Sequence, residues 1–479
     1  MKRIFRIAFA ISAFLFVQGH ASAQNLSSAY FLDGYAQGHE LNPAKEYDRK
    51  GYFGFPLSNL NIGIKGNIGV KDVLYKNPNG SGLVTFLHPD ISIDEAMSGF
   101  KNNNKMLSDM RIDVINVGFH AFKGYNTINV GVRSNFGFNA PYEIFELAKN
   151  LSNKDYDISD FGATAMAWGE IGLGHSHQIN KAWRIGGKFK LLVGGAYAKL
   201  KMDNLSLNLQ DPNQWTATAN ATVEAGVKGF TWGETETKVD NSGRPYERID
   251  FDNMDIKNPG INGFGAAFDL GFEWDLEQQF NVKGLKVSAS ILDLGFIKWK
   301  DVAIARNNGD PFTFDGFNDI KVKDGSGNGS GTKIDDQIDK LGDDLEDLYR
   351  LQDEGMKSKS TPLGATLNVA VEYALPSYRH LKFGFLSTTR IQGVYSWNEE
   401  RLAVTVSPAK MFEVSANAGV GTLGANVGWI INFHPRGFNL FFGSDHCIGK
   451  FSKQGVPLRS NYDFCMGINY PIGKSRIKK

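Results

Sequence analysis

Residues 363–375, with the sequence LGATLNVAVEYAL, carry an apolar side chain at every second position and mostly small or polar side chains between them. Successive side chains of a β-strand point to opposite faces, so this pattern predicts one strand with an apolar face and a polar face. Ordinary strands average about 5 to 6 residues. A run of this length instead matches a tilted strand that crosses a lipid bilayer, which needs about 9 to 11 residues.

The same alternation recurs from about residue 59 onward, which predicts that most of the chain consists of such strands. A soluble sandwich also alternates, but with shorter strands. Strands beginning near residues 59, 110, 126, 161, 182, 261, 283, 362, 380, 401, 411, 422, 438 and 460 give a count of about 14, an even number. The predicted fold class is all-β, a transmembrane up-and-down antiparallel β-barrel. Two further runs have their apolar positions at Phe264, Ala266, Phe268, Leu270, Phe272 and Trp274, and at Leu423, Ala425, Val427, Trp429, Ile431 and Phe433.

Short and long connections largely alternate between these strands, except that the outer junctions near Glu399 and Gly421 are short as well. Outer-membrane barrels place short turns in the periplasm and long loops outside, so the alternation predicts periplasmic termini. The junction at residues 206–260 leaves room for a further hairpin. The short turns lie near residues 123–126, 178–182, 377–379, 407–410 and 434–437, and the long connections near residues 71–109, 138–160, 206–260, 301–361 and 450–459.

The N-terminal residues have the three parts of a secretory signal peptide. A basic start with Lys2 and Arg3 precedes an apolar stretch over residues 7–17, and the small residues 21–23 follow. We expect residues 1–23 to be removed, so that the mature chain begins at Gln24 and reaches the cell outer membrane. A membrane anchor is disfavoured because the apolar stretch is shorter than the about 20 residues that span a bilayer.

Composition and motifs exclude two classes of function. The 52 Lys and Arg residues balance 51 Asp and Glu residues, so no net field attracts nucleic acid. The patterns G-x-S-x-G, H-E-x-x-H and Cys-x-x-Cys are absent. The chain is therefore predicted not to be an enzyme, with serine and histidine assembled from separate strands as the remaining enzymatic alternative.

Three stretches resemble the FadL-type outer-membrane barrels, and more closely a Bacteroidetes branch of that superfamily whose members are mostly of unknown function. They are Leu41, Asn42, Pro43 and Ala44, the stretch SASILDLGFIKW at residues 288–299, and the closing GINY at residues 467–470. The resemblance implies an N-terminal plug over residues 24–49, with Leu41 to Ala44 as its motif, inside a barrel over residues 50–479. It also implies passive uptake of small hydrophobic or amphipathic molecules through movement of the plug.

Charged residues on the polar strand faces are predicted to point into the barrel, because Lys or Arg facing lipid costs about 2 to 4 kcal/mol. Two interpretations stay open. The charges form a polar constriction that orients an amphipathic substrate, or they form a salt-bridged lining that fills the lumen. The cluster consists of Glu170, Arg184, Lys188, Lys190, Asp269 and Glu273.

Two features occupy the long connection at residues 301–361, which we expect to be extracellular. Asp324, Ser326, Asn328 and Asp335 have the spacing of calcium ligands, but position 12 is Asp rather than Glu, and a flexible Gly/Ser loop explains them equally. No other cofactor is expected. From Ile334 to Leu351, leucine and isoleucine follow helical spacing beside many aspartates, which predicts an acidic amphipathic helix. It lies on the barrel rim, or it caps the pore, contacts lipopolysaccharide or docks a protein.

Cys447 and Cys465 are the only cysteines of this secreted chain, and they either form a disulfide across the last hairpin or remain free thiols. His175 and His177 share a strand face, but two ligands without a third favour interfacial histidines over a metal site.

Two functions from different classes remain. One is passive transport, with outer-membrane lipid, lipopolysaccharide and a hydrophobic small molecule as partners. The other is a structural or partner-binding barrel, for example a shuttle for a secreted or surface protein.

Overall fold

The computed structural model describes residues 26–80, 82–149, 154–208, 215–239, 243–250, 253–307, 312–314, 350–447 and 461–475. Antiparallel strands form one sheet that closes on itself, because the first strand position pairs with the last. The wall has 14 strand positions, which confirms the predicted fold class and strand count. None of the helices in the described ranges is both long and apolar enough to cross a membrane.

Eleven wall positions are single strands, and the other three are each built from two strand segments that lie end to end. In chain order the wall consists of β1 Arg49–Gly54 with β2 Asn59–Gly66, β5 Asn103–Ala121, β6 Gly124–Pro141, β8 Phe161–Gln178, β9 Trp183–Asn208, β10 Trp215–Val227 with β15 Gly263–Asp275, β16 Leu285–Arg306, β18 Gln352–Pro362 with β19 Ala365–Ala374, β20 Leu381–Ile391, β21 Trp397–Ala409, β22 Phe412–Gly421, β23 Gly424–Phe433, β24 Asn439–Ser444 and β25 Tyr462–Ser475.

Short elements lie in the connections and at the rim. The strands are β3 Leu74–Lys76, β4 Leu83–Thr85, β7 Tyr156–Ile158, β11 Phe230–Thr231, β12 Thr235–Val239, β13 Pro245–Ile249, β14 Asp255–Ile256 and β17 Phe312–Phe314. The helices are α1 Val70–Val73, α2 Ile93–Met97, α3 Tyr142–Lys149 and α4 Leu276–Phe280, and the 3-10 turns are Ser27–Ala29, Gly38–Glu40 and Gly393–Tyr395.

The wall is much taller on one side than on the other. β9 has 26 residues and β16 has 22, whereas β22 and β23 have 10 each. The tall side extends at the end of the barrel that carries the long connections, called here the long-loop end. There α3 and the described residues of the insertion at 228–262 pack on the outward face of the wall, where Leu147, Phe230 and Ile249 form one buried apolar cluster with Ala225 and Ala303. This insertion contains the β12–β13 hairpin, so the additional hairpin allowed for at residues 206–260 lies outside the wall.

The tall side corrects the predicted connection at residues 301–361. Residues 301–306 continue β16, and residues 352–361 form most of β18. Val302, Ala303, Ile304 and Ala305 are all buried, because cover on both faces removes the alternation by which a membrane strand is recognised. The calcium candidates Asp324, Ser326, Asn328 and Asp335, the acidic helix up to residue 349 and the signal peptide lie outside the described residues.

Outward faces of the wall strands are apolar and exposed, as the alternation predicted. On β15, Phe264, Phe268 and Leu270 each leave about half of their surface exposed, whereas Asp269 between them is buried. Leu363 departs from its pattern and is buried, because the wall position breaks between β18 and β19 at residues 363–364.

The disulfide considered for the two cysteines is not formed. Cys465 pairs across the hairpin with Gly443, not with Cys447, and its buried side chain lies beside Asn59. Cys447 lies beyond the end of β24 and is exposed. Both are free thiols, which is the second of the two interpretations.

Candidate functional site: the lumen and its N-terminal segment

Residues 26–48, called here the plug segment, lie inside the closed wall. The hydrogen bonds of this segment reach strands on opposite sides of the barrel. Gln37 Nε2 donates to the Ser58 carbonyl at 2.6 Å, and Asn42 Nδ2 donates to the Phe272 carbonyl at 3.1 Å. The segment is therefore part of the core rather than an appended tail.

The motif residues Leu41, Asn42, Pro43 and Ala44 dock on β9, β15, β16 and β19. The Leu41 carbonyl accepts hydrogen bonds from Ser290 Oγ at 2.8 Å and from Asn368 Nδ2 at 3.2 Å. Asn42 Oδ1 accepts from the Ala44 amide at 2.9 Å, which fixes a turn at the proline. The motif thus sets the conformation with which the plug segment meets the wall.

Close approach of this turn requires glycine in the wall. A Cβ atom at Gly186 would overlap the Pro43 carbonyl, and a Cβ atom at Gly271 would overlap Asn42 Oδ1. Adjacent Gly187 faces outward, where a Cβ atom would meet nothing nearer than 3.9 Å.

We expect Gly186→Val to displace the plug segment, because the valine side chain needs the volume that Pro43 occupies. Trypsin should then cleave after Lys45 in the detergent-solubilised protein, whereas the unmodified chain stays protected. Gly187→Val is the matched control and should stay protected. Equal protection of the two variants would contradict this packing.

The centre of the lumen contains a network of buried ion pairs. Glu40 of the plug segment contacts Lys188 Nζ at 2.5 Å and Arg111 Nη2 at 2.7 Å, and Arg111 Nε also donates to Asp113 at 2.9 Å. Burial alone raises the pKa of the Glu40 carboxyl, but these two cations outweigh burial and hold it well below its ordinary value. Glu40 is therefore ionised and binds the plug segment to the wall.

His39, next to Glu40, is neutral. Burial lowers the pKa of His39 to about 3. Its Nε2 lies 2.6 Å from the Tyr52 hydroxyl, which donates to Asn116 Oδ1 at 2.6 Å. Protonation of this side chain thus plays no part in binding the plug segment near pH 7.

A second part of the network belongs to the wall alone. Lys190 Nζ lies 2.7 Å from Asp269 and 2.6 Å from Asp293. Arg133 contacts Asp293 at 2.7 Å and Glu170 at 3.0 Å. Of the six predicted lumen charges, Glu170, Lys188, Lys190 and Asp269 meet in this network.

Arg184 and Glu273 lie apart from the other four, toward the end of the barrel that carries the short turns. Both line a cavity of about 270 Å³ between the plug segment and the wall, and Arg184 forms an ion pair with Glu46 at 2.8 Å. Charges of both signs line this cavity.

The prediction missed Glu40, Arg111, Arg133 and Asp293. Asp293 lies within the stretch at residues 288–299, but it occupies a bulge with φ of 60°, so strand alternation does not reveal its direction. Arg111 and Arg133 alternate with apolar residues of β5 and β6, and this signal could have identified them.

The start of the plug segment is anchored separately. The Asp445 carboxylate accepts hydrogen bonds from the Ser27 amide at 2.6 Å, the Ser28 amide at 2.7 Å and Ser28 Oγ at 2.5 Å. Gly428 allows this approach, since the position of its absent Cβ lies 2.6 Å from Ser28 Oγ.

Apolar side chains of β8, β9, β15 and β16 line the lumen on the long-loop side of the ion pairs. Arg133 marks the boundary, with its guanidinium carbon 5.2 Å from the centroid of the Trp168 ring. This apolar cluster consists of Met166, Trp168, Leu192, Tyr197, Ala267, Ile297, Trp299, Val302, Ile304 and Leu363. The lumen thus changes from apolar to charged along its axis.

Metal ligands are not grouped in the described ranges, where no three His, Cys, Asp or Glu residues could hold an ion. His175 and His177 are neighbours with ring centroids 6.0 Å apart, and His175 Nδ1 lies 2.9 Å from Asn126 Oδ1.

Three solved structures illustrate what the chain is similar to. The toluene transporter TodX of P. putida has 7% identity, covering 90% of this chain and 92% of its own, with a TM-score of 0.39. A FadL homologue of Pseudomonas aeruginosa has 10% identity, covering 95% and 96%, with a TM-score of 0.37. The translocator domain of the autotransporter NalP from Neisseria meningitidis has 6% identity, covering 88% of each chain, with a TM-score of 0.32.

One family model matches most of the chain. It describes a family of unknown function, DUF5723, and matches residues 43–445. No curated protein sequence shows significant similarity. The predicted relation to a group of unknown function is confirmed.

Proposed function

The chain belongs to the family of unknown function DUF5723, and we propose that it is an outer-membrane barrel for passive uptake of small apolar or amphipathic molecules. The observation that carries the proposal is a lumen filled by a segment outside the wall sheet, held through side-chain contacts such as Glu40 with Lys188. Such a segment can leave its position while the wall stays intact. Residues 26–48 would be the movable plug.

The outward surface supports a membrane location. Soluble monomers rarely expose a contiguous apolar patch of more than a few hundred Å². Here large apolar side chains are exposed around the barrel, with Ile171 on β8, Phe268 on β15, Val369 on β19 and Leu402 on β21 among them. A closed barrel also leaves no unpaired sheet edge within the bilayer.

The order of surfaces along the lumen suits an amphipathic solute. The apolar cluster around Trp168 and Trp299 could receive an apolar portion from the long-loop end. The buried ion pairs below it would stop water and ions while the plug segment is in place. Movement of the plug segment would open the remaining path toward the 270 Å³ cavity.

A covalent tether tests whether the plug segment must move. Ser28→Cys with Gly428→Cys, in a chain with Cys447→Ser and Cys465→Ser, places two thiols where Ser28 Oγ now meets the Gly428 position at 2.6 Å. We expect oxidation to abolish uptake of N-phenyl-1-naphthylamine by outer-membrane vesicles and reduction to restore it. The single variants Ser28→Cys and Gly428→Cys in the same background are the controls, the second because a Cβ atom at position 428 also lies 2.8 Å from Asn417 Oδ1 and 2.9 Å from the Asp445 Cα atom.

Uptake that is the same in the oxidised and reduced tether would overturn the proposed transport. That result would favour a partner-binding barrel. The observation favouring this second function is the tall side of the wall, where β9 and β16 extend far beyond the about 9 to 11 residues needed to cross a bilayer.

A further inference from the structure

A small cavity lies in the middle of the lumen, between the plug segment and the wall. Its volume is about 40 Å³, enough for one small polar group. Leu41 of the plug segment and Leu292 of β16 contribute apolar walls, and Asp109 and Arg390 face each other across it. Neither charged residue belongs to the ion pairs that bind the plug segment.

Arg390 has an unused donor in this cavity. The side chain is only 3% exposed. Its Nη1 donates to Thr366 Oγ1 at 3.0 Å, and its Nε donates to Gln392 Oε1 at 3.3 Å. Within the described part of the chain, no acceptor lies within hydrogen-bonding distance of Nη2, so this donor is available to a guest.

Asp109 carries an acceptor, but this acceptor is too far from Arg390 Nη2 to form a hydrogen bond. Asp109 Oδ1 lies 4.0 Å from Arg390 Nη2, beyond hydrogen-bonding distance. The described residues donate no hydrogen bond to the Asp109 carboxylate. A guest in the cavity could therefore accept from Arg390 and donate to Asp109 at the same time.

The charges around the cavity discriminate between headgroups. A carboxylate guest would approach the carboxylates of Asp109 and Asp293, while an ammonium guest would approach the guanidinium groups of Arg111, Arg133 and Arg390. Arg111 and Arg133 are already paired with carboxylates, so they do not favour an anionic guest as a free cation would. Like charges that meet in a site shielded from water repel strongly. A neutral group that both donates and accepts a hydrogen bond avoids both penalties.

Apolar side chains next to the cavity could also contact the apolar tail of a guest. Arg133 lines the cavity and lies over the Trp168 ring, which belongs to the apolar cluster on the long-loop side. A molecule with its polar end in the cavity could extend its chain toward Trp168 and Leu363. The combination fits an amphipath with one small head.

We propose that this cavity binds the head of a neutral amphipath, an alcohol or primary amide, and selects against carboxylates and ammonium groups. The proposal rests on the proposed function, because the ligand reaches the cavity through the lumen. Asp109 and Arg390 together set the specificity.

The test compares three probes with one chain length: 1-dodecanol, dodecanoate and dodecylamine. Their equilibrium affinities are measured on the purified full-length protein in lipid nanodiscs. We expect dodecanol to bind on the order of tenfold or more tightly than either charged probe, a difference of about 1.4 kcal/mol. Asp109→Asn should improve dodecanoate binding by a similar factor, and Arg390→Gln should improve dodecylamine binding.

Asp94→Asn in α2 is the matched control and should leave the order of affinities unchanged, since Asp94 lies on an exposed helix outside the wall. Heat-modifiable migration on a gel verifies that each variant is folded. Equal affinities of the three probes for the unmodified protein, or no improvement of dodecanoate binding in Asp109→Asn, would overturn the headgroup assignment. Failure of all three probes to bind while the tether still controls uptake would overturn this assignment alone and leave the transport proposal standing.

Discussion

Deleting residues 26–48, with the signal peptide retained, is expected to open the barrel. Conductance in planar bilayers should rise by on the order of tenfold or more, because the charged lumen would fill with water as in a porin. The wall should still assemble, since the pairing of β1 and β2 with β25 does not involve the plug segment. Heat-modifiable migration on a gel checks assembly.

A synthetic peptide covering residues 26–48 supplies the control for this deletion. Added to the open variant, it should lower the conductance again, whereas the same peptide with Glu40→Ala should do so less effectively, because Lys188 and Arg111 lose their partner. An assembled deletion variant that conducts no more than the full chain would show that the plug segment does not close the lumen.

Lys190→Met is expected to cost about 3 to 5 kcal/mol of unfolding free energy, because it leaves the buried Asp269 carboxylate without a cationic partner and removes one of the cations that pair with Asp293, which keeps Arg133. Urea unfolding in phospholipid vesicles, followed by tryptophan fluorescence, measures the loss. Adding Asp269→Asn should recover part of it by removing one of the two charges.

Lys154→Met is the matched control, since Lys154 pairs with Glu146 where both side chains are accessible to solvent. An exposed pair contributes less than about 1 kcal/mol. Similar losses in Lys190→Met and Lys154→Met would mean that the lumen network is hydrated and contributes no more than a surface pair.

Strands and their number could be predicted from sequence because one face of each strand meets an apolar environment. Phe268 and Asp269 show the limit of this reasoning. Their alternation reveals which face of the strand is outward and which is inward, but not which residues the inward side chains contact. Lys188 meets Glu40, which is 148 positions away and lies in the plug segment. No local pattern encodes such a pairing.

The features that could not be predicted from the sequence lie at β-bulges and in strand segments that are covered on both faces. A bulge moves all following side chains to the other face, so the direction of Asp293 follows from the register with β15 and not from its neighbours. At Val302 to Ala305 the cover on both faces hides the strand completely. The predicted plug motif was visible, but the glycines that receive it, Gly186 and Gly271, gain meaning only from the packed wall.

The anchoring of the plug segment has a consequence for assembly kinetics. Ser27 binds Asp445, which is 418 positions away, and β1 and β2 pair with β25 near the other terminus. Hairpins between neighbouring strands can form early, whereas contacts of such sequence separation form slowly. A partly assembled wall therefore lacks the anchor at Asp445, and full docking of the plug segment must coincide with closure of the seam. Nascent chains would present this segment to periplasmic chaperones and proteases until that last step.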